Sequence, residues 1–211
     1  MFGDLFFNSK NWKIINLGEI ISLLTDYHAN GSYEILRDHV QLFNKPDYAL
    51  MVRTTDLESN NFVEGVKYIS KSAYEFLEKS KVYGGEIIFN KIGSAGKVYL
   101  MPNLNRPVSL GMNQFMVRFE KNIDNIFMYH LLKSKYGDAV IQKKVQGAVT
   151  KTIRKDAIRS LKMPLPPAEL QTQFAKIVEQ VEATKAKMQQ SLQELENQFS
   201  ALMQRAFKGE L

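Results

Sequence analysis

The chain has 211 residues, of which 45% are hydrophobic and 24% charged, with no cysteine and a formal net charge of +6. The hydrophobic fraction suffices for a packed core, which excludes a wholly disordered chain. The absence of cysteine excludes disulfides and thiolate metal sites, and three scattered histidines do not suggest a zinc site. Because no apolar run reaches the roughly 20 residues that cross a bilayer, we expect a cytoplasmic protein without membrane contact.

Residues 12–166 have the mixed, strand-rich pattern of an α+β domain. Residues 18–24 and 70–80 have helical spacing, and Ser70 or Ser72 can serve as the N-cap of the second of these helices. The glycines of 93–96 predict a hairpin turn. The runs that predict strands are 12–17, 49–54, 86–89, 97–101 and 114–119.

Two further helices are predicted before residue 150. Asp124 can cap a helix that runs to Tyr136 and ends at Gly137. Asp138 can then cap a second helix that ends near Gly147. Both predictions rest on the usual punctuation of helices by acidic caps and terminal glycines.

The C-terminal tail predicts one long helix. Neither glycine nor proline occurs between Pro167 and Gly209, and apolar or small residues recur every three or four positions. A helix over 167–208 would be about 60 Å long. Since that exceeds the width of a small domain, we expect its apolar seam to need a partner helix, although an ordinary amphipathic core helix stays open. The seam residues are Leu170, Phe174, Ile177, Val181, Met188, Leu192, Leu195, Phe199 and Leu202.

Positive charge is concentrated in one stretch. Residues 133–162 contain nine basic and two acidic residues, so this stretch carries +7 and the remainder of the chain −1. A solvated basic surface and a face that contacts DNA phosphates both fit this pattern, because lysine and arginine near DNA release condensed counterions.

The motifs expected of several enzyme classes are missing from the sequence. It has no P-loop and no nucleophile elbow, and 93–97 joins two predicted strands instead of opening a helix. Residues 44–48, Asn-Lys-Pro-Asp-Tyr, lack the paired prolines of the adenine methyltransferase pocket. Glu86 and Lys91 have the wrong spacing for a metal nuclease. We therefore expect a protein without catalytic residues or a metal site.

Several segments, in order, resemble the specificity (S) subunit of type I restriction-modification systems. Trp12 followed by Leu17-Gly18-Glu19-Ile20 is similar to the opening of its target recognition domain, and 84–97 (GGEIIFNKIGSAGK) to its Gly-Ser-x-Gly-Lys block. The remaining matches are 146–167, 171–177, 206–211 and the start 1–4, which resembles the end of a first conserved helix. Family members usually carry two recognition domains and two helices, so this chain resembles a natural half-subunit or a segment of a longer one.

The resemblance implies an α+β fold and a division of labour. Residues 1–166 would form the DNA target recognition domain, and 167–211 a helical spacer that pairs as an antiparallel coiled coil with a second copy or a second S half. The implied partners are double-stranded DNA, methyltransferase (M) subunits and, through them, restriction (R) subunits. S-adenosylmethionine, ATP and Mg²⁺ would bind to those partner subunits and none to this chain.

Candidate DNA contacts follow from side-chain chemistry within this framework. Lys143, Lys144, Lys151, Arg154 and Lys155 are predicted to contact phosphates. The polar residues predicted to contact base edges are Lys91, Ser94, Asn113, Gln114, Gln146, Thr150 and Thr152. A polar, aromatic-rich loop with Tyr27, His28, Tyr33 and His39 is predicted as a further candidate surface.

Two other functions remain as alternatives. The first is a non-catalytic protein-interaction module with a coiled-coil helix, in which the basic stretch is only surface. The second is an accessory DNA-binding fragment of a methyltransferase or nuclease. Salt-dependent DNA binding distinguishes the first, and binding of S-adenosylmethionine or ATP the second.

Overall fold

A computed structural model describes residues 4, 5 and 8–210 of the chain, which divides into two compact units, 1–168 and 169–211. The strands are β1 (Lys13–Asn16), β2 (Ile21–Asp26), β3 (Ala49–Val52), β4 (Lys67–Ile69), β5 (Lys81–Val82), β6 (Ile87–Asn90), β7 (Val98–Leu100), β8 (Val108–Leu110), β9 (Gln114–Phe119) and β10 (Lys162–Leu165). The α-helices are α1 (Tyr33–His39), α2 (Thr54–Ser59), α3 (Lys71–Phe76), α4 (Asn125–Lys133), α5 (Lys135–Gln142), α6 (Lys155–Arg159) and α7 (Ala168–Phe207). The predicted α+β domain followed by a long helix is confirmed.

The strands of the first unit form two four-stranded sheets and one two-stranded ribbon. The first sheet has the order β2-β9-β6-β7 and is antiparallel throughout. The second has the order β4-β3-β8-β5, in which β3 and β8 run parallel. The ribbon pairs β1 with β10, and so joins the beginning of the domain to its end.

The main core lies between the two four-stranded sheets. Leu50 and Leu110 of the second sheet share one buried cluster with Ile88 and Met116 of the first. A second cluster covers the opposite face of β3, where Met51 packs with residues of α1 and α3. Strand β3 is therefore covered on both faces, which explains its uninterrupted apolar sequence.

The runs at 49–54, 86–89, 97–101 and 114–119 are confirmed as the strands β3, β6, β7 and β9. The helix predicted in 70–80 is confirmed as α3, followed by a 3₁₀ turn, and Ser70 is its N-cap, accepting a hydrogen bond from Ala73 N at 3.2 Å. These elements were predictable because their signals, continuous apolar runs and a local cap, do not depend on distant residues.

The helix predicted at 18–24 is wrong. Residues 17–19 form a single 3₁₀ turn, and the chain then continues as β2, which pairs with β9 around an irregularity between Ile21 and Leu23. Helical spacing over so few residues was outweighed by the long-range pairing of β2 with β9, which no local pattern reveals.

The helix boundaries predicted at 136–147 are also wrong, although Asp124 does cap α4 by accepting from Phe127 N at 2.9 Å. Helix α4 ends at Lys133, and Ser134, in place of Asp138, caps α5 by accepting from Gly137 N at 3.1 Å. Helix α5 ends at Gln142, short of Gly147. Gly137 has a packing role: a Cβ there would lie 2.3 Å from the carbonyl oxygen of Leu131.

The second unit consists mainly of α7, a continuous helix of 40 residues and about 60 Å. It begins at Ala168, one residue after the predicted start at Pro167. Gly209, with φ +74°, ends it, donating to Ala206 O at 3.1 Å while Glu210 N donates to Arg205 O at 3.0 Å. This is the left-handed termination that glycine makes easy.

Candidate nucleic-acid interface

Three loops of the first unit meet at one surface. Lys91 N donates to Asn113 O at 2.8 Å, which joins the β6–β7 turn to the β8–β9 loop. Gly93 N donates to Lys151 O at 3.0 Å, and Ile153 N to Lys91 O at 3.1 Å, which joins the same turn to the segment between α5 and α6. We call residues 91–97, 111–114 and 146–155 the three-loop surface. It contains all the predicted base-edge residues: Lys91, Ser94, Asn113, Gln114, Gln146, Thr150 and Thr152.

The loop 146–152 is a closed and tightly turned segment. Its ends are held by two backbone hydrogen bonds, from Gln146 N to Thr152 O at 2.9 Å and from Thr152 N to Gln146 O at 2.7 Å. Gly147 has φ +102°, and a Cβ at this position would lie only 2.2 Å from Thr150 O. Val149 at the tip is 97% exposed, and the Gln146 and Thr150 side chains are exposed as well. The loop therefore presents polar groups on a backbone fixed by its own hydrogen bonds.

A polar network holds the β6–β7 turn from below. Ser94 Oγ accepts from Asn90 Nδ2 at 2.7 Å and donates to Glu58 Oε1 at 3.0 Å. The same Glu58 oxygen accepts from Lys97 Nζ at 3.1 Å, and these bonds lower the pKa of Glu58, with the Lys97 bond as the largest cause. The Ser94 hydroxyl thus already uses its proton and one lone pair within the protein.

Tyr99 completes this network. Its hydroxyl donates to Glu58 Oε1 at 3.4 Å and accepts from Asn90 Nδ2 at 3.4 Å. Burial is the largest cause that raises the pKa of Tyr99 to about 12, and the negative charge of Glu58 adds to it. The phenol therefore stays protonated at neutral pH and serves as a fixed donor to Glu58.

Asn113 and Gln114, although adjacent, lie in different environments. Asn113 is exposed, whereas Gln114 is fully buried, and its side-chain nitrogen and oxygen have no hydrogen-bond partner in the described part of the chain. Both residues line a cleft of about 280 Å³ together with Arg53 and Thr54. In this conformation Asn113 can be touched from outside and the amide of Gln114 cannot.

A buried carboxylate links two lysines from distant parts of the sequence. Asp26 Oδ1 lies 2.7 Å from Lys155 Nζ, and Asp26 Oδ2 lies 3.4 Å from Lys91 Nζ. The two ammonium groups also lie over the ring of Phe115, 5.6 and 5.3 Å from its centroid. Burial raises the pKa of Asp26, but the hydrogen bonds and charges of Lys155 and Lys91 outweigh it, so the pKa is lowered overall. Asp26 is therefore ionised at neutral pH.

The predicted phosphate-contacting cations fall into two groups. Lys143, Lys144, Lys151 and Arg154 are exposed, and within residues 4–5 and 8–210 none of these four side chains forms an ion pair. Lys155 differs because it is paired with Asp26. Unpaired surface cations keep their full charge for an external anion, whereas the charge of Lys155 is partly compensated.

The aromatic candidates are not all on a loop. Tyr27 is buried in the second core cluster, and burial raises the pKa of its hydroxyl. His39 belongs to α1 and stacks on Phe76 with 4.4 Å between ring centroids. Tyr33, 65% exposed, and His28, also exposed, remain accessible. Tyr27 is thus buried away from an external ligand, whereas His39 packs on Phe76 and is still exposed.

The predicted seam of α7 is largely exposed in the single chain. Leu170 and Phe174 lie in its first two turns. From Ile177 onward the exposed fractions of the seam side chains range from 46% at Ile177 to 67% at Met188. A stripe of exposed apolar side chains on one helix is typical of a surface that packs against another helix.

The site residues missed in the sequence include Asp26, Glu58, Asn90 and Tyr99. Asp26 ends an apolar strand, where an acidic residue reads as an ordinary cap, and its two lysines follow 65 and 129 residues later. Glu58 meets Ser94 and Lys97 across 36 and 39 residues. A single sequence carries no signal for such pairs. The only weak hint was the position of Asn90 directly after the apolar run 86–89, which the structure places at the end of β6.

Comparison with known proteins identifies the chain. Residues 9–197 match the model of the family described as type I restriction modification DNA specificity domain. The chain belongs to this family. The resemblance seen in its sequence motifs is therefore confirmed, and the match includes both the α+β domain and most of α7.

One curated relative of this specificity domain is a type I restriction enzyme MjaX specificity subunit from Methanocaldococcus jannaschii. The identity is 26% over an alignment of 181 residues, and the match covers 82% of this chain and 43% of the relative. The chain thus spans less than half of that protein.

Solved structures show the same fold. An S subunit from M. genitalium superimposes with a TM-score of 0.52 at 14% identity, and the HsdS subunit from Thermoanaerobacter tengcongensis with 0.52 at 13%. A chain from a structure of type I R-M complex assembly gives 0.57 at 12%. The matches cover 86%, 87% and 90% of this chain and 40%, 40% and 43% of the other chains, in the same order.

Two features are absent from the described part of the specificity domain. Over residues 4–5 and 8–210, His, Asp and Glu side chains form no group of three or more that could hold a metal ion. In the same residues, no helix combines the length and the hydropathy needed to cross a membrane.

Proposed function

We propose that this specificity domain is the DNA-recognition component of a type I restriction-modification complex, and that its α+β domain reads one half-site of a bipartite target. The observation that carries the proposal is the three-loop surface, where exposed polar side chains from separate segments meet beside unpaired cations. Loop residues positioned by a rigid scaffold are where binding functions usually lie. Because the chain belongs to the DNA specificity domain family, DNA is the proposed ligand of this surface.

The contacts divide by chemistry. Lys143, Lys144, Lys151 and Arg154 neutralise phosphates, because their charges are exposed and uncompensated. Asn113, Gln146 and Thr150 reach base edges, since their side chains are exposed on the three-loop surface. Ser94 and Gln114 act from behind these residues, one within the Glu58 network and one beneath the cleft.

Helix α7 pairs antiparallel with the same helix of a second copy or of a second S half, and so sets the distance between two half-sites. Support comes from its 40-residue length and from the exposed apolar seam between Ile177 and Leu202. An isologous contact between identical helices is the simplest closed arrangement. The resulting pair docks M subunits and, through them, R subunits in the cytoplasm.

The chain itself is proposed to be non-catalytic. S-adenosylmethionine, ATP and Mg²⁺ then bind to the M and R subunits. Titration calorimetry of the purified chain with S-adenosylmethionine or ATP should give no heat of binding. Measurable binding of either would favour the methyltransferase or nuclease fragment instead.

The function is tested by binding of the chain to mixed-sequence duplex DNA over a series of salt concentrations, alone and co-expressed with its M subunits. We expect the logarithm of the binding constant to fall linearly with the logarithm of the salt concentration. Absence of DNA binding in both preparations would favour the protein-interaction module and overturn the proposal.

Methylome mapping in cells that express the chain with its M subunits tests the half-site. An interrupted palindromic motif is expected if two copies pair. An asymmetric motif would assign the second half-site to a different recognition domain.

A further inference from the structure

Asp26 lies where a DNA-binding surface would be expected to avoid negative charge. It occupies the last position of β2, directly opposite Phe115 of β9, and its side chain is 8% exposed. Its two lysine partners come from different loops of the three-loop surface, Lys91 from the β6–β7 turn and Lys155 from the start of α6. A carboxylate in this position holds both ammonium groups in one place.

The two lysines are fixed from more than one side. Their side chains are only 27% and 35% exposed, both ammonium groups lie over the Phe115 ring, and Lys91 is held by backbone hydrogen bonds to Asn113 and Ile153. The three charged groups sum to +1, whereas the lysines alone would carry +2. Cations that are held in place and partly neutralised attract phosphates only weakly, but their N–H donors stay at defined positions.

On the basis of the proposed DNA-reading function, we propose that Asp26 is a specificity-determining positioning residue, whose carboxylate aims Lys91 and Lys155 at base edges and cancels one of their two charges. Guanine presents two acceptors, O6 and N7, in the major groove, and lysine is a suitable donor to them. Phosphates are then contacted by the unpaired group, Lys143, Lys144, Lys151 and Arg154. Asp26 thereby suppresses sequence-independent attraction at the centre of the surface.

The test compares Asp26→Asn with the unaltered full chain, using a randomised duplex pool to measure sequence enrichment and one mixed-sequence duplex to measure the salt slope. Asp26→Asn should lower the enrichment of the preferred sequence about tenfold, the discrimination that one good base contact provides. It should also steepen the log–log salt slope by about 0.9 to 1.8, because one or two released ammonium groups become available to phosphates.

Asp156→Asn is the matched control. Asp156 lies next to Lys155, is exposed, and forms no ion pair among the described side chains, so its replacement removes the same charge without releasing a lysine. It should keep the wild-type enrichment and slope. Equal effects of the two substitutions would show that only the negative charge of Asp26 matters and not its pairing with the lysines, and would overturn the proposal.

A second variant, Lys155→Gln, tests the proposal without requiring that Asp26→Asn be stably folded. Lys155→Gln leaves Asp26 paired with Lys91, and should lower enrichment while leaving the salt slope unchanged. In the Asp26→Asn background the same change should make the slope shallower by about 0.9. If Lys155→Gln lowers the slope equally in both backgrounds, Lys155 is an ordinary phosphate contact and the proposal is wrong.

The outcomes also separate this inference from the proposed function. Absence of any sequence enrichment with the unaltered chain, alone and with M subunits, overturns both. Enrichment by the unaltered chain that Asp26→Asn and Lys155→Gln both preserve overturns the role of Asp26 alone.

Discussion

The α+β domain buries its apolar side chains in a core, whereas helix α7 leaves most of its apolar seam exposed. In the domain, Leu50, Ile88 and Leu110 are fully buried between two sheets. In α7, Leu195 and Phe199 are more than 60% exposed, although they recur with the spacing of a packing seam. The domain therefore completes its core within one chain, whereas the helix requires a second surface. Folding and assembly should be separable in this protein.

The largest expected effect is the loss of assembly without loss of the domain. The triple variant Ile177→Glu, Val181→Glu and Leu195→Glu places three carboxylates in the seam, each costing several kcal/mol in a paired helix. Self-association should weaken at least about a thousandfold, measured by sedimentation equilibrium. The circular dichroism of the domain and its unfolding midpoint should be retained.

The control for that variant introduces the same three negative charges in α7, but away from the seam. Replacing the exposed residues Gln190, Gln193 and Gln204 by glutamate should leave the pair intact. A dimer that survives in the seam variant would show that the partner of α7 binds elsewhere, and the contrast between the two regions would fail.

The second prediction tests how tightly the domain is packed by itself. In Gly137→Ala the new Cβ would lie 2.3 Å from Leu131 O and 2.5 Å from Leu132 O, so α4 and α5 must separate. The free energy of unfolding in denaturant should fall by about 3 kcal/mol, the upper range for overpacking.

Gly65→Ala is the comparison for Gly137→Ala. Gly65 has φ +67° and open space around it, so only backbone strain of about 1 kcal/mol is expected. Similar losses at the two glycines would mean that the α4–α5 contact is not a tight one.

The third prediction concerns the charge on the surface of the domain. Replacing Lys143, Lys144 and Lys151 by glutamine should make the log–log salt slope of DNA binding shallower by about 2.7, since each phosphate contact contributes about 0.9. The loss should be uniform across sequences, unlike the loss at Asp26. A double change of the exposed Lys71 and Lys79 should leave the slope unchanged; an equal effect there would contradict a localised phosphate face.

The smallest effect is expected in the polar network. The folded state raises the pKa of Tyr99 to about 12, so its neutral form contributes stability that is present below pH 10 and lost as the pH rises through 12. Tyr99→Phe should lower the free energy of unfolding by no more than about 1 kcal/mol at neutral pH. It should also remove the step near pH 12 from the absorbance titration of the tyrosines. A titration unchanged near pH 12 would assign that phenol an ordinary environment.

Local signals predicted much of the fold correctly. Ala49–Val52 reads as a buried strand because both its faces are covered, and Ser70 and Asp124 cap their helices through bonds to residues three positions ahead. Helix α7 was predictable over its whole length because proline, glycine and a seam mark it. The pairing of α7 with a partner remains a prediction.

The errors occurred where a local pattern met a distant constraint. Residues 21–26 form a strand because β9 is available to pair with them, and Gly137 is required by the carbonyls of α4 and not by the end of a helix. In the candidate site, the types of polar residue were predictable from chemistry. Their accessibility was not, since Gln114 is buried and Ser94 is bonded to Glu58.

The sequence by itself determined the family, the α+β domain, the long helix and the position of the excess charge, because each depends on composition or on residues close together in the chain. The tertiary structure decided which polar groups are free and which are paired. Asp26 meets Lys91 and Lys155 only because the pairing of β2 with β9 and the backbone bonds of the three-loop surface bring residues 65 and 129 positions apart into contact. Electrostatic pairing depends on distance in space, which the order of residues does not reveal.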